Sequence, residues 1–197
     1  MGTILDLDTP HGRARAHLDT VDSPLAVLVL GHGAGGGVDS PDLIGARDAG
    51  LAAGLTVALV EQPYRVAGRR APARAAQLDA AWASVISQLP IAGLPLLAGG
   101  RSAGARVACR TAAEVGATAV LCLAFPLHPP GRPDKSRLQE LDDVAVPTLV
   151  VQGETDPFGR PPPGPTREVV TIHGTHSLRE RDAVEAVVAE WLPRVLR

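Results

Sequence analysis

Gly100, Arg101, Ser102, Ala103 and Gly104 read G-x-S-x-G, between the apolar run Leu94 to Ala98 and an alanine-rich, helix-prone stretch. In that setting Ser102 is a candidate nucleophile. A sharp strand-to-helix turn holds a serine in a strained conformation, and glycines two residues either side remove the β-carbons that would clash in the bend. The turn leaves the Ala103 amide at a helix N-terminus, where it can face a developing oxyanion. A serine hydroxyl is a poor nucleophile at neutral pH, so acyl chemistry here requires a base beside it and a carboxylate to orient that base.

Six histidines are available. His11 and His17 lie in the amino-terminal segment and read as solvated. His32 stands in a glycine cluster, where holding the loop is the better role. His128 lies in a proline-rich loop and could line a pocket. His173 ends the last apolar run, and His176 occupies the short loop after it, from which a side chain can reach back over strand ends. His176 is therefore the expected base, with His173 the alternative. For the carboxylate, the run Thr148 to Gln152 ends in Gly153-Glu154-Thr155-Asp156-Pro157; Asp156, at the turn before a proline, is favoured over Glu154. The chain order is then serine, acid, base.

A second glycine-rich turn, Gly31-His32-Gly33-Ala34-Gly35-Gly36-Gly37, follows the first long apolar run and leaves amides free to face a substrate oxygen. By position the donor is Ala34, with Gly35 the nearest alternative. Gly31, Gly33 and Gly36 also fit G-x-G-x-x-G, and Glu61 ends the next run, where a dinucleotide fold holds an acidic residue for the ribose. That fingerprint opens its helix inside the glycines. Here the Ser40-Pro41 helix signal comes several residues later, and the pyrophosphate would miss the helix dipole.

The elements that must position these residues are legible as apolar runs of strand length at Leu25 to Leu30, Leu55 to Val60, Leu94 to Ala98, Ala119 to Ala124, Thr148 to Gln152 and Val169 to Ile172. Continuous hydrophobicity buries both strand faces, as in a parallel sheet covered by helices. Arg13 to Leu18 alternates and reads as a weaker strand at an edge. Ser40-Pro41 opens a helix ending near Gly54. Further helices are expected over Ala73 to Leu89, from Ala103 onward, and after a capping box of Ser177 and Glu180. That last helix carries Val184, Val187, Val188, Trp191 and Leu192 on one face. The pattern is α/β, a mainly parallel doubly wound sheet with helices on both faces. The proline- and glycine-rich stretches Pro126 to Pro133 and Phe158 to Pro165 follow strands, so they are candidate walls of a site.

The 197 residues fit one domain over 1–197 with a proper core, and 45% hydrophobic residues with only 3% aromatic means a core of Val, Leu, Ile and Ala. A net charge of -2 offers no field for nucleic acid or an anionic membrane. The local cluster Arg65, Arg69, Arg70 and Arg74 reads as a solvated face. Without a signal-type segment or a run long enough to span a bilayer, a cytoplasmic protein is expected. Cys109 and Cys122 then read as free buried thiols, with no metal site and no cofactor. Oligomeric state is open.

Taken together, the G-H-G-A-G-G-G turn, the G-R-S-A-G elbow, the G-E-T-D-P-F turn and the G-T-H-S-L loop resemble the α/β-hydrolase fold superfamily over nearly the whole chain. Phe125-Pro126-Leu127-His128-Pro129-Pro130-Gly131 and Pro63-Tyr64-Arg65 look like a small cap-less group related to dienelactone hydrolases. The resemblance implies a Ser102, Asp156, His176 triad, an oxyanion held by Ala34 and Ala103, and a sheet of eight strands or slightly fewer. Dienelactone hydrolases use a cysteine nucleophile, from which Ser102 departs. The stretch between Ala124 and Thr148 is too short for a helical lid, which argues against a lid-dependent lipase. The expected function is a serine hydrolase acting on a small-molecule ester or thioester through an acyl-enzyme. A non-catalytic binding or scaffold module on the same fold is the alternative, and a dinucleotide-binding protein a more distant one.

Overall fold

A computed structural model describes residues 2–196. Eight strands form one sheet in the order β1-β2-β4-β3-β5-β6-β7-β8. They are β1 (Thr3–Thr9), β2 (Gly12–Asp19), β3 (Val27–Gly31), β4 (Thr56–Glu61), β5 (Leu96–Arg101), β6 (Ala117–Leu123), β7 (Thr148–Gly153) and β8 (Arg167–Ile172). From β4 to β8 every neighbouring pair is parallel, while β2 is antiparallel to both β1 and β4. The central strands are buried on both faces, which is why they read as unbroken apolar runs.

Six helices cover the sheet: α1 (Pro41–Ala52), α2 (Pro63–Val66), α3 (Ala75–Gln88), α4 (Ala103–Thr111), α5 (Leu138–Asp142) and α6 (Arg181–Val195). Strand side chains alternate between two cores. Val27 and Val29 of β3 face Trp82 of α3, Val107 and Ala108 of α4 and Leu141 of α5. Leu28 and Leu30 face Leu43 and Ala46 of α1 and Val184, Val188, Trp191 and Leu192 of α6. The aliphatic core expected from composition is thus split by the sheet into two layers, with Trp82 and Phe125 among its largest fully buried side chains.

Four expectations need correction. The segment containing Arg13 to Leu18 is a strand but not the edge: Ala14, Ala16 and Leu18 are buried beneath helices, and the edge is β1, paired from Thr3↔Leu18 to Thr9↔Gly12. Asp6 and Asp8 interrupt β1's hydrophobicity because its outer side is solvated. The Ser177–Glu180 capping box does not form: α6 starts at Arg181 with Glu180 at its N-cap position, and Ser177 remains in the preceding loop. Leu25 lies before β3 and is 63% exposed, so the first parallel strand starts at Val27. Helix α3 starts two residues later than Ala73, at Ala75.

Between β6 and β7 lies only the five-residue α5, so no lid domain covers the carboxyl ends of the strands. Among the described residues, no helix is long and apolar enough to cross a membrane.

Candidate active site

Strand β5 delivers Ser102 to the end of the sheet, where the chain reverses into α4. Ser102 stands at the N-cap position with φ 51° and ψ -106°, a conformation that side-chain-bearing residues rarely adopt. Its amide donates to the Leu123 carbonyl at 2.9 Å, and its carbonyl accepts from Arg106 at 3.2 Å. The flanking glycines are required by a close approach: a β-carbon on Gly100 would lie 2.5 Å from the Gly31 carbonyl oxygen, and one on Gly104 would be driven into the same group. The elbow therefore packs directly against the end of β3, from which the other glycine-rich turn departs.

His176 occupies the loop between β8 and α6. Leu178, two residues on, is fully buried with φ 36°, and this pins the loop into the α1/α6 core. The Asp156 turn is tied to the same loop, since the Thr155 amide and hydroxyl both donate to the Gly174 carbonyl at 3.0 Å. Across this junction His176 Nδ1 lies 2.8 Å from Asp156 Oδ2, and His176 Nε2 lies 2.8 Å from Ser102 Oγ. A carboxylate only accepts, so Nδ1 carries the proton and donates to Asp156, leaving Nε2 to accept from the Ser102 hydroxyl. Phe158 stacks on the imidazole with centroids 4.1 Å apart and planes at 29°.

The side chain of Asp156 is fully buried and well partnered. Oδ1 accepts from the Phe158 amide at 2.8 Å, and Oδ2 accepts from Gln152 Nε2 at 2.6 Å as well as from His176. Gln152, fully buried at the end of β7, also donates to the carbonyls of Phe125 and Gly159. It joins β6, the acid turn and the Phe158 loop, a role that nothing in its position in an apolar run announced.

Ala34, Ser102 and Ala103 line one cleft of about 290 Å³, with Pro126 and Phe158 from the two proline-rich loops among its walls. Among the described residues, neither the Ala34 nor the Ala103 amide has a protein acceptor. Ala103 is the first residue of α4, where the helix dipole favours negative charge. The Ala34 peptide is held from behind by Tyr64, whose hydroxyl donates to the Ala34 carbonyl at 3.1 Å. Another cleft, of about 310 Å³ and lined by His11, Arg13, Tyr64 and Arg69 among others, has no serine, threonine, cysteine or lysine in its walls.

The remaining histidines take other places. His32 is buried between Gly33, whose carbonyl accepts from Nδ1 at 2.7 Å, and Gln62, whose amide donates to Nε2 at 3.1 Å. Burial pushes its pKa down, so it stays neutral and fixes the turn before Ala34. His128 packs against Gly159 and bonds the Pro129 carbonyl, holding the two proline-rich loops together rather than lining the cleft. His173 is exposed, as is Glu154. His17 is half-buried rather than free in solvent, 2.6 Å from Glu61. Glu61 is therefore engaged where a ribose would need it. Helix α1 begins at Pro41, beyond the last glycine of its turn, so the dinucleotide geometry is not formed.

Arg101, the variable residue before the serine, carries structure that the motif does not advertise. Its Nη2 donates to the His176 carbonyl at 3.0 Å, and Nε lies 2.8 Å from Oδ2 of the fully buried Asp42 on α1. The guanidinium also packs beneath Gly33, where an added β-carbon would meet Nη1 at 2.6 Å. One cation thus spans the base loop, the Ala34 turn and the first turn of α1. Burial pushes the Asp42 pKa up, against the opposing pull of Arg101. A signal existed for this pair: an acid at the second position of a proline-started helix and an arginine inside the elbow.

No curated protein matches the chain by sequence. Several solved structures share its fold across nearly their full lengths. A lidless α/β serine hydrolase from Xanthomonas campestris is 21% identical, with a TM-score of 0.73 over 98% of this chain and 94% of that one. A dienelactone hydrolase from Anabaena variabilis is 20% identical, with a TM-score of 0.75 over 100% and 99%. Est1E from Butyrivibrio proteoclasticus is 15% identical, with a TM-score of 0.78 over 100% and 99%. A family model described as an alpha/beta hydrolase domain matches residues 24–189, from the approach to β3 into α6. The chain therefore belongs to the α/β-hydrolase family, in a lidless form of the fold like that of the Xanthomonas campestris structure.

Proposed function

We propose that the protein is a serine hydrolase that cleaves ester or thioester bonds through an acyl-enzyme, with Ser102 as nucleophile, His176 as general base and acid, and Asp156 as the group that orients the imidazole. The observation that carries this reading is the single imidazole bridging Ser102 Oγ and Asp156 Oδ2 at 2.8 Å each. As Ser102 Oγ bonds to the substrate carbonyl carbon, its proton passes to His176 Nε2. The carbonyl electrons move onto oxygen, which the Ala34 and Ala103 amides stabilise. Collapse expels the alcohol or thiol, which takes the proton from Nε2. Water then repeats the sequence: His176 accepts its proton, hydroxide attacks the acyl carbon, and Ser102 leaves with the proton returned. The buried carboxylate stabilises the imidazolium formed in each half.

The experiment is labelling with a fluorophosphonate, which phosphonylates activated serines. Labelling of folded wild type at Ser102, abolished in Ser102→Ala, is the expected result. Folded wild type that stays unlabelled would sink the enzyme reading and leave a binding or scaffold role on the same fold.

A further inference from the structure

Two cysteines that the proposed chemistry does not use meet behind the elbow. Cys109 on α4 and Cys122 on β6 are free and buried, with their sulfurs 3.4 Å apart. Their access differs. Cys122 is fully buried, whereas Cys109 stands in the wall of a cavity of about 550 Å³, beside Arg110, Ala113, Ala117, Glu140 and Val144. The contact with Cys109 and burial both push the Cys122 pKa up, so Cys122 keeps its proton and donates it to the Cys109 sulfur, a bond that favours a thiolate there. A thiol that a small oxidant can reach thus faces a protonated partner. Both also belong to the frame of the nucleophile: Ser102 opens α4, and Leu123, next to Cys122, accepts the Ser102 amide at 2.9 Å.

We infer that Cys109 and Cys122 are a dithiol that hydrogen peroxide closes to an intramolecular disulfide, and that closure tilts α4 and slows Ser102. The bridge stands apart from the serine hydrolase reading above; only its effect on turnover rests on that reading. The Cys109 thiolate attacks one peroxide oxygen, the O–O bond breaks, and the hydroxide released takes up the proton that Cys109 gave, leaving a sulfenic acid and water. The Cys122 sulfur then bonds to that of Cys109, the S–O bond breaks, and the departing hydroxide takes the Cys122 proton as a second water. The two thiols give up one electron pair in all, and the peroxide accepts it. To make the bond the sulfurs close from 3.4 Å to about 2.05 Å. Helix α4 cannot follow as a body, because Gly104 already rests against the Gly31 carbonyl with no room for a β-carbon. The helix must pivot about that close-packed contact, which turns Ser102 and the Ala103 amide out of position.

In the test, wild type is treated with hydrogen peroxide, quenched with catalase, unfolded in iodoacetamide and weighed, with and without prior dithiothreitol. The expected product is a monomer lighter than the reduced chain by a pair of hydrogens, both cysteines shielded from alkylation until dithiothreitol restores them. Alkylation of both cysteines after peroxide, a Cys109 that stops at the sulfinic acid, or a bridge between separate chains overturns the inference. In the folded, bridged protein the second-order rate of fluorophosphonate labelling should fall about tenfold or more, because a displacement on the order of 1 Å costs up to about a hundredfold. Dithiothreitol should restore it, and Cys109→Ser should hold its rate through peroxide. A bridged protein that labels within about twofold of the reduced rate overturns the coupling to the elbow. Hydrogen exchange of the Ser102 amide reads that coupling without turnover, and it should quicken on bridging as the bond to Leu123 loosens. Reduced protein that never labels therefore removes the hydrolase reading alone, whereas unchanged exchange in the bridged form removes the coupling.

Discussion

Replacing Asp156 by asparagine keeps the volume of the buried side chain and changes only what its two arms can do. In the wild type three donors converge on the carboxylate: the Phe158 amide on Oδ1, and Gln152 Nε2 and His176 Nδ1 on Oδ2. An asparagine has one acceptor arm to offer them. With its oxygen toward Phe158, its NH₂ faces His176, and the imidazole can answer only by moving its proton to Nε2 and accepting at Nδ1. Ser102 then meets a donor instead of a base. With the amide turned over, two N–H groups confront each other at Phe158, a buried mismatch of about 1–3 kcal/mol. Each arrangement sets one N–H pair face to face, at Gln152 Nε2 in the first and at the Phe158 amide in the second, and both lose the charge that stabilises the imidazolium, so the cost falls on catalysis. We expect turnover of p-nitrophenyl acetate and the second-order rate of fluorophosphonate labelling to drop about 10³- to 10⁴-fold, or roughly 4–5.5 kcal/mol of transition-state stabilisation. The exposed Glu154→Gln should stay within about twofold of wild type, since surface substitutions away from the machinery change little. A folded Asp156→Asn protein within about tenfold of wild type would refute the tautomer argument. A collapse in Glu154→Gln instead would move the orienting acid to that residue.

Three further outcomes follow from the packing. Gln152→Leu strips the Asp156 carboxylate of one donor and leaves the Phe125 and Gly159 carbonyls short of partners, so urea unfolding should show a loss of about 2–5 kcal/mol; a loss under about 1 kcal/mol would mean that water replaces the amide. Gly104→Ala drives a methyl into the Gly31 carbonyl, and the elbow must open or the strand shift, so soluble yield and labelling should both collapse; normal labelling would show that β3 can yield there. Asp42 has a folded-state pKa raised above its unfolded value by burial, so its contribution to stability is fully present below the unfolded pKa of 3.8 and is lost as pH rises through the folded one. Asp42→Asn has no such dependence. Its melting temperature relative to wild type should therefore climb as pH is raised from acid to neutral, and a flat or falling difference would contradict the sign.

The parallel half of the sheet was legible because β3 to β7 are sandwiched between helix layers, and double burial writes itself as apolar runs. The hairpin was harder. Strand β1 has one paired edge and a solvated side, so Asp6 and Asp8 broke the signal, and its absence made β2 look like the border. The Ser177 capping box failed for a different reason: burial of Leu178 outweighs the worth of a cap and holds the chain out of helix for three more residues. At the site, the three side chains that meet across Ser102, His176 and Asp156 were readable because each follows a strand end in a short turn. Their supports were not, because Gln152 sits in an apolar run and Arg101 in the free position of a pentapeptide. Both are recognised only by what they touch.

Leu178 has one more consequence. Its main chain stands in a left-handed conformation, strained for leucine and offset by the burial of the side chain between α1 and α6. The His176 loop is thus held on two sides, to the strand ends through Thr155 and Arg101 and to the helix layer through Leu178. As the protein warms, slackening of that helix layer frees the latch while β3 to β7 remain paired. Heat should therefore silence the centre before it dissolves the scaffold, and the inactivation curve belongs to the latch, not to the global melt.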